Sequence, residues 1–154
     1  MIDVAAAQQR IAPYIHRTPV LQSALLNNLV DTELFFKCEN LQKVGAFKAR
    51  GACNAVLSLS NEDATKGVAT HSSGNHGAAL AWAAAIRNIP ATIVVPSTAK
   101  QIKKDAILSY GGQILECEPT LAAREATLAE IVAACGANFI PPYDDDRVIS
   151  GQGT

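Results

Sequence analysis

The sequence predicts an open, doubly wound α/β fold on a parallel sheet. Three observations carry that expectation. From Gly67 onward, segments of strand character alternate with segments of helical period, and parallel strands need crossover connections of that kind. Of the 154 residues 27 are alanine and only 5% aromatic, which suits helices lying close on a sheet rather than a β-sandwich. The length, with 49% of residues hydrophobic and 18% charged, matches one domain with a real core.

The elements follow in order. Asp3 is placed to cap a helix through Ile11, its carboxylate accepting from the first free amides, and Pro13 lies beyond the helix end. Pro19 punctuates, a short helical stretch spans Ser23 to Leu29, and Glu33 to Glu39 has the aromatics and adjacent apolar residues of a strand. Gly45 breaks the chain. From Ala46 to Leu59, Phe47, Ala52, Ala55, Val56 and Leu59 recur at helical spacing, which sets Lys48 at or just inside a helix start. Strands are then expected at Gly67 to His71, Ala91 to Val95, Gln113 to Cys117 and Asn138 to Ile140. Helices are expected at Asn75 to Arg87, Ala99 to Tyr110 and Thr120 to Ala134. Ligands in such sheets sit outside the carboxyl ends of the strands, which points to the loops after His71, Val95 and Cys117.

Composition narrows the function. With 13 Lys+Arg against 14 Asp+Glu, a net charge of −1 and no basic block, there is no electrostatic footprint for nucleic acid. The longest apolar stretch, Ala78 to Ile86, is far below the roughly 18 residues of a membrane span, and no signal peptide is visible. The four cysteines, Cys38, Cys53, Cys117 and Cys135, form no C-x-x-C pair and read as reduced, small buried hydrophobes in a cytoplasmic protein, with no metal site. Trp82 reads as core. His16 reads as a hydrogen-bond partner in a loop, and the run Asp144-Asp145-Asp146 as a turn or a helix cap. The expected partner is a small molecule.

Two segments carry chemistry. Ser72-Ser73-Gly74-Asn75-His76-Gly77 lies between a strand and an alanine-rich helix, where hydroxyls, an amide and free helix N–H groups converge on a point that favours an anion, phosphate or carboxylate. The plainer reading is that Ser73 or Asn75 caps the helix while Gly74 turns the chain. Lys48, next to Phe47, is the second candidate. An amine in apolar surroundings can fall well below its ordinary pKa of about 10.4 and become a nucleophile.

Lys43-Val44-Gly45-Ala46-Phe47-Lys48-Ala49-Arg50-Gly51-Ala52 resembles the pyridoxal-phosphate attachment motif of the serine/threonine dehydratase family. His71-Ser72-Ser73-Gly74-Asn75-His76-Gly77 resembles that family's substrate loop, and Cys117-Glu118-Pro119 with Arg124 is similar to a segment of serine racemases. Leu34 to Glu39 and Gly151-Gln152-Gly153-Thr154 also look like this family. The resemblance covers nearly the whole chain.

It implies a fold-type II pyridoxal-phosphate enzyme, with Lys48 holding the cofactor as an internal Schiff base. Asn75 would contact the pyridoxal 3′-oxygen and Phe47 would pack near the ring. Ser72, Ser73 and the amides around Asn75 and His76 would hold the substrate carboxylate, and Arg124 would help recognise the substrate. The implied reaction takes L-serine or L-threonine to a 2-oxo acid and ammonia, through removal of the α-proton by Lys48 and formation of an aminoacrylate. The alternative is serine racemization, with Ser73 as a second base on the opposite face, or an inactive truncated fragment of such an enzyme. By the same resemblance, residues 1–45 begin a large domain, 46–143 form the small domain and 144–154 start the return. The phosphate-cradling loop and the partner of the pyridine nitrogen would follow Thr154. The chain is therefore expected to be cut from a longer protein that forms a homo-oligomer, a dimer.

Overall fold

Four parallel strands organise the molecule, and the computed structural model describes all of residues 1–154. Ahead of the sheet come α1 (Val4–Ile11), β1 (Val20–Leu21), α2 (Ala24–Val30), β2 (Phe36–Lys37), two 3-10 turns at Glu39–Leu41 and Lys43–Gly45, α3 (Lys48–Leu57) and α4 (Asn61–Thr65). The alternating part is β3 (Val68–His71), α5 (Asn75–Arg87), β4 (Ala91–Pro96), α6 (Gln101–Ser109), β5 (Gln113–Cys117), α7 (Leu121–Cys135) and β6 (Asn138–Phe139), closed by α8 (Asp146–Gln152).

The strand order is β5-β4-β3-β6, every pair parallel. α5 and α6 each carry the chain one strand further in the same direction, so right-handed crossovers set both on one face. α7 brings the chain back to β6 and lies on the other. The core divides accordingly: Leu80, Ile93 and Ile107 belong to the larger cluster under α5 and α6, while Ala69, Val94, Leu128 and Ala137 form a small one under α7. Each large aliphatic buried there contributes about 1.5–3 kcal/mol. Because the order reverses at β3, the carboxyl ends of β3 and β6 flank the switch point where such sheets bind ligands. The doubly wound reading is thus correct.

The alanine bias has a packing consequence. Ala78, Ala79, Ala81, Ala83 and Ala84 are all buried along α5, which lets it lie against the sheet on one side and α3 on the other. α3 in turn meets α8, and α8 meets α1. The α3–α8 contact is backbone-close: a Cβ on Gly151 would stand 2.5 Å from Arg50 O and 2.8 Å from Gly51 Cα. Gly151→Ala is expected to lower stability by about 1–3 kcal/mol, read as a fall in the denaturation midpoint. An unchanged midpoint would mean that the helices part freely.

Several expectations need correction. The strand expected over Glu33 to Glu39 shrinks to Phe36–Lys37, paired antiparallel with Val20–Leu21, because Glu39 turns inward to Arg50 and the chain enters a 3-10 turn. α3 starts at Lys48 and not Ala46, since Gly45 takes φ 68 and Ala46 is extended at φ −157. The expected cap on α5 is not formed: Gly74 occupies the N-cap and neither Ser73 nor Asn75 caps with its side chain. Of the cysteines only Cys53 is buried; Cys38 and Cys117 are half-buried and Cys135 is exposed. Trp82 is half-buried and packs against the core from outside. α4 and α8, unforeseen, are capped by Ser60 and Asp145, the latter from the aspartate run read as a turn or a cap. Asp3, Ser23 and Thr120 cap α1, α2 and α7.

Candidate active site

The turn that delivers Lys48 is fixed from behind. Buried Gln42 accepts from the N–H groups of His16 and Lys43 at 2.8 and 2.9 Å, and its amide donates to His16 O at 2.8 Å. The chain then passes Val44 at φ 54, ψ 12, a left-handed conformation that costs a β-branched residue on the order of 1–3 kcal/mol. Lys48 is the first residue of α3. Two residues on, Arg50 clamps Glu39 with Nε–Oε2 2.8 Å and Nη2–Oε1 2.7 Å, and the Thr18 hydroxyl donates to Glu39 Oε1 at 2.6 Å.

The Lys48 amine donates to the backbone carbonyl of Pro142 at 2.5 Å, and its Nζ lies 5.0 Å from the centre of the Phe47 ring. No carboxylate pairs with it. Burial disfavours the ammonium form and lowers the pKa below the ordinary lysine value. The result is an amine that sheds its proton more readily than a surface lysine.

At the carboxyl end of β3 the backbone opens. The amides of Ser73, Asn75 and His76 make no hydrogen bond within the chain, while Gly74 N donates to Ser72 Oγ at 3.3 Å. With the positive end of α5 behind them, these free N–H groups form a turn of a kind that suits an anion. Gly77 keeps the turn tight, since a Cβ there would stand 3.0 Å from Ser72 O and 2.9 Å from Ile93 Cγ2. Ser73 is exposed, and its hydroxyl has no partner. Asn75 Oδ1 accepts from Lys103 Nζ at 3.3 Å, which leaves its two amide donors free.

His76 is buried, with Nε2 2.9 Å from Ile140 O. A carbonyl only accepts, so Nε2 carries the proton. Burial first, with the charges of Lys48 and His71 adding to it, holds the ring down to about 4, against the raising effect of the Ile140 bond. The imidazole is neutral at pH 7. His71 ends β3 with its ring stacked on Phe139, centroids 6.2 Å apart, and burial and then the Arg124 charge lower its pKa. Arg124 therefore approaches the strand end, yet its Nε bonds only Thr120 O, at 3.4 Å. It makes no hydrogen bond to any of the other candidates. An open groove of about 710 Å³ runs from His71 past Leu128, Val132 and Phe139 to Pro142 and Tyr143.

Sequence reasoning missed the segment after β6. Its carbonyls at Ile140 and Pro142 meet His76 and Lys48, because β6 adjoins β3 and not β5. Pro141-Pro142 at a strand end was the available signal, and the strand order needed to use it is not written in the sequence.

Residues 11–154 match the family described as pyridoxal-phosphate dependent enzymes. The chain belongs to that family. It is 55% identical over 152 residues to the β-hydroxyaspartate dehydratase of Paracoccus denitrificans, covering 99% of this chain and 48% of that protein. It is 55% identical over 154 residues to a serine racemase of Arabidopsis thaliana, covering 100% and 46%. The crystal structure of the T.th. threonine deaminase superposes with a TM-score of 0.90 at 42% identity, covering 98% of this chain and 47% of that one. The chain spans about half the length of the relatives it matches.

The residues present fit the family's cofactor. An aldehyde needs an amine able to lose its proton, and Lys48 supplies one with no competing acid. The three buried side-chain polar atoms without a partner, Thr70 Oγ1, His71 Nδ1 and His76 Nδ1, all fall at the carboxyl end of β3 and the start of α5. Native folds leave few such atoms.

Proposed function

We propose that the protein is a lyase acting on small 2-amino-3-hydroxy acids, L-serine and L-threonine first among them, and releasing a 2-oxo acid and ammonia. The single observation that carries this reading is the Lys48 amine: half-buried, beside Phe47, with its pKa lowered and only a backbone carbonyl as partner. The relatives' names support the substrate class, since serine, threonine and hydroxyaspartate share that skeleton.

When bound, pyridoxal phosphate supplies the electron sink for the negative charge left at the α-carbon. The remaining work belongs to the chain. Lys48 attaches the cofactor and, once displaced by the substrate amine, removes the α-proton in its neutral form. Phe47, whose ring centre lies 5.0 Å from the amine, would pack near the cofactor ring, and the amide donors of Asn75 would reach the pyridoxal 3′-oxygen. Ser72, Ser73 and the amides of Ser73, Asn75 and His76 hold the substrate carboxylate, with Arg124 aiding recognition from α7. The proton held on Lys48 Nζ would leave with the β-hydroxyl as water, and hydrolysis of the released enamine would give the 2-oxo acid and ammonia.

A second reading, racemization, is favoured by Ser73, whose exposed hydroxyl is engaged by no group of the chain. Standing on the face of the substrate opposite Lys48, as the resemblance to serine racemases implies, it would return a proton there. Product analysis separates the two: with L-serine the lyase gives pyruvate and no D-serine. Where D-serine does form, Ser73→Ala is expected to suppress it by about 10²-fold or more while pyruvate release continues. A Ser73→Ala protein that still racemizes would remove Ser73 as the second base.

A further inference from the structure

We propose that the His76 side chain is a positioning residue for Lys48, holding the Ile140–Pro142 segment whose last carbonyl receives the lysine amine. The inference rests on the reading of Lys48 as the reacting amine. His76 donates from Nε2 to Ile140 O at 2.9 Å, and Lys48 Nζ donates to Pro142 O at 2.5 Å. The two acceptors belong to one three-residue segment, Ile140-Pro141-Pro142.

The segment is suited to transmit a restraint. Pro141 and Pro142 each have φ locked near −65° by the ring, so few soft torsions separate the two carbonyls. On its other side Ile140 N donates to Ala69 O at 3.0 Å, which ties it to β3. His76 therefore closes a short loop from the start of α5 through the strand ends to the first residue of α3. The arrangement also explains why a histidine is buried there in neutral form: a protonated ring gains nothing from a site that offers one carbonyl and the nearby Lys48 charge. A segment released from His76 swings off the amine, exposes it to water and relieves the burial that lowers its pKa.

The test uses the chain itself and no cofactor. Reductive methylation with formaldehyde and cyanoborohydride across pH 6–11, followed by peptide mass mapping, gives the titration midpoint of Lys48. His76→Leu and His76→Asn, whose shorter amide stops short of Ile140, are expected to raise the midpoint toward the ordinary lysine value. His76→Gln places an N–H where Nε2 stands and is expected to restore it. An unchanged midpoint in the Leu and Asn proteins overturns the proposal, as does a Gln protein that behaves like them. Should the Leu protein not fold, the Asn and Gln pair decides alone. Methylation reads any lysine, so a failure of pyridoxal phosphate to attach at Lys48 would sink the proposed function and leave this result standing.

Discussion

A Lys48→Ala protein is expected to lose at least about 10³-fold in the release of 2-oxo acid from L-serine or L-threonine, with its fold intact. The size follows from the two roles that the proposed function gives to one amine, attachment and proton removal, of which proton transfer alone is worth about 10²–10⁴. Lys48 opens α3 and its side chain makes one hydrogen bond, to a backbone carbonyl, so its loss removes little that holds the fold. Lys66→Ala, an exposed lysine paired only with Asp63, is the control and should leave turnover unchanged. Residual activity in the Lys48→Ala protein within tenfold of the parent would contradict the assignment.

Glu39→Gln is expected to destabilise the protein by about 3–5 kcal/mol, because it strips the counter-charge from Arg50, whose side chain is 5% exposed. The cost also reaches the site, since Arg50 lies two residues from Lys48 and pins the start of α3 to the turn before it. The effect depends on pH with a definite sign. The hydrogen-bonded Arg50 guanidinium holds Glu39 below its ordinary value of 4.5, against burial, which raises it. A depressed carboxyl contributes its stability above that ordinary value and loses it as the pH falls through the folded one. Urea denaturation should therefore show the full difference between parent and variant at pH 7, shrinking as the pH drops below about 4.5. An equal difference at pH 7 and pH 3 would show that the pair does not carry the stability.

The fold was legible where periodicity is long and unambiguous. The strands and helices from Val68 to Phe139 fall within a few residues of their expected places, since segments of strand and of helical character alternate regularly there. The N-terminal third was less so. Phe35 and Phe36 suggest a long strand, but the fate of that stretch is decided by a distant ion pair, Glu39 to Arg50, and no local pattern encodes such a pair. Lys48 and the Ser72 to His76 loop were legible as motifs. The Pro142 carbonyl and the His76–Ile140 bond were not, because backbone acceptors carry no sequence signature and strand adjacency is a property of the sheet. The backbone strain at Val44 was equally hidden, since valine is a residue that seldom accepts φ > 0.

One measurement bears most directly on the account. The chain is titrated with pyridoxal phosphate while the visible band of the bound cofactor is followed, then reduced with borohydride, and the modified peptide is mapped by mass. The account predicts one dominant adduct, at Lys48, because that amine combines partial burial, a lowered pKa and a place beside the segment that follows β6. Adducts scattered over the exposed lysines, or one at a lysine other than Lys48, would contradict it.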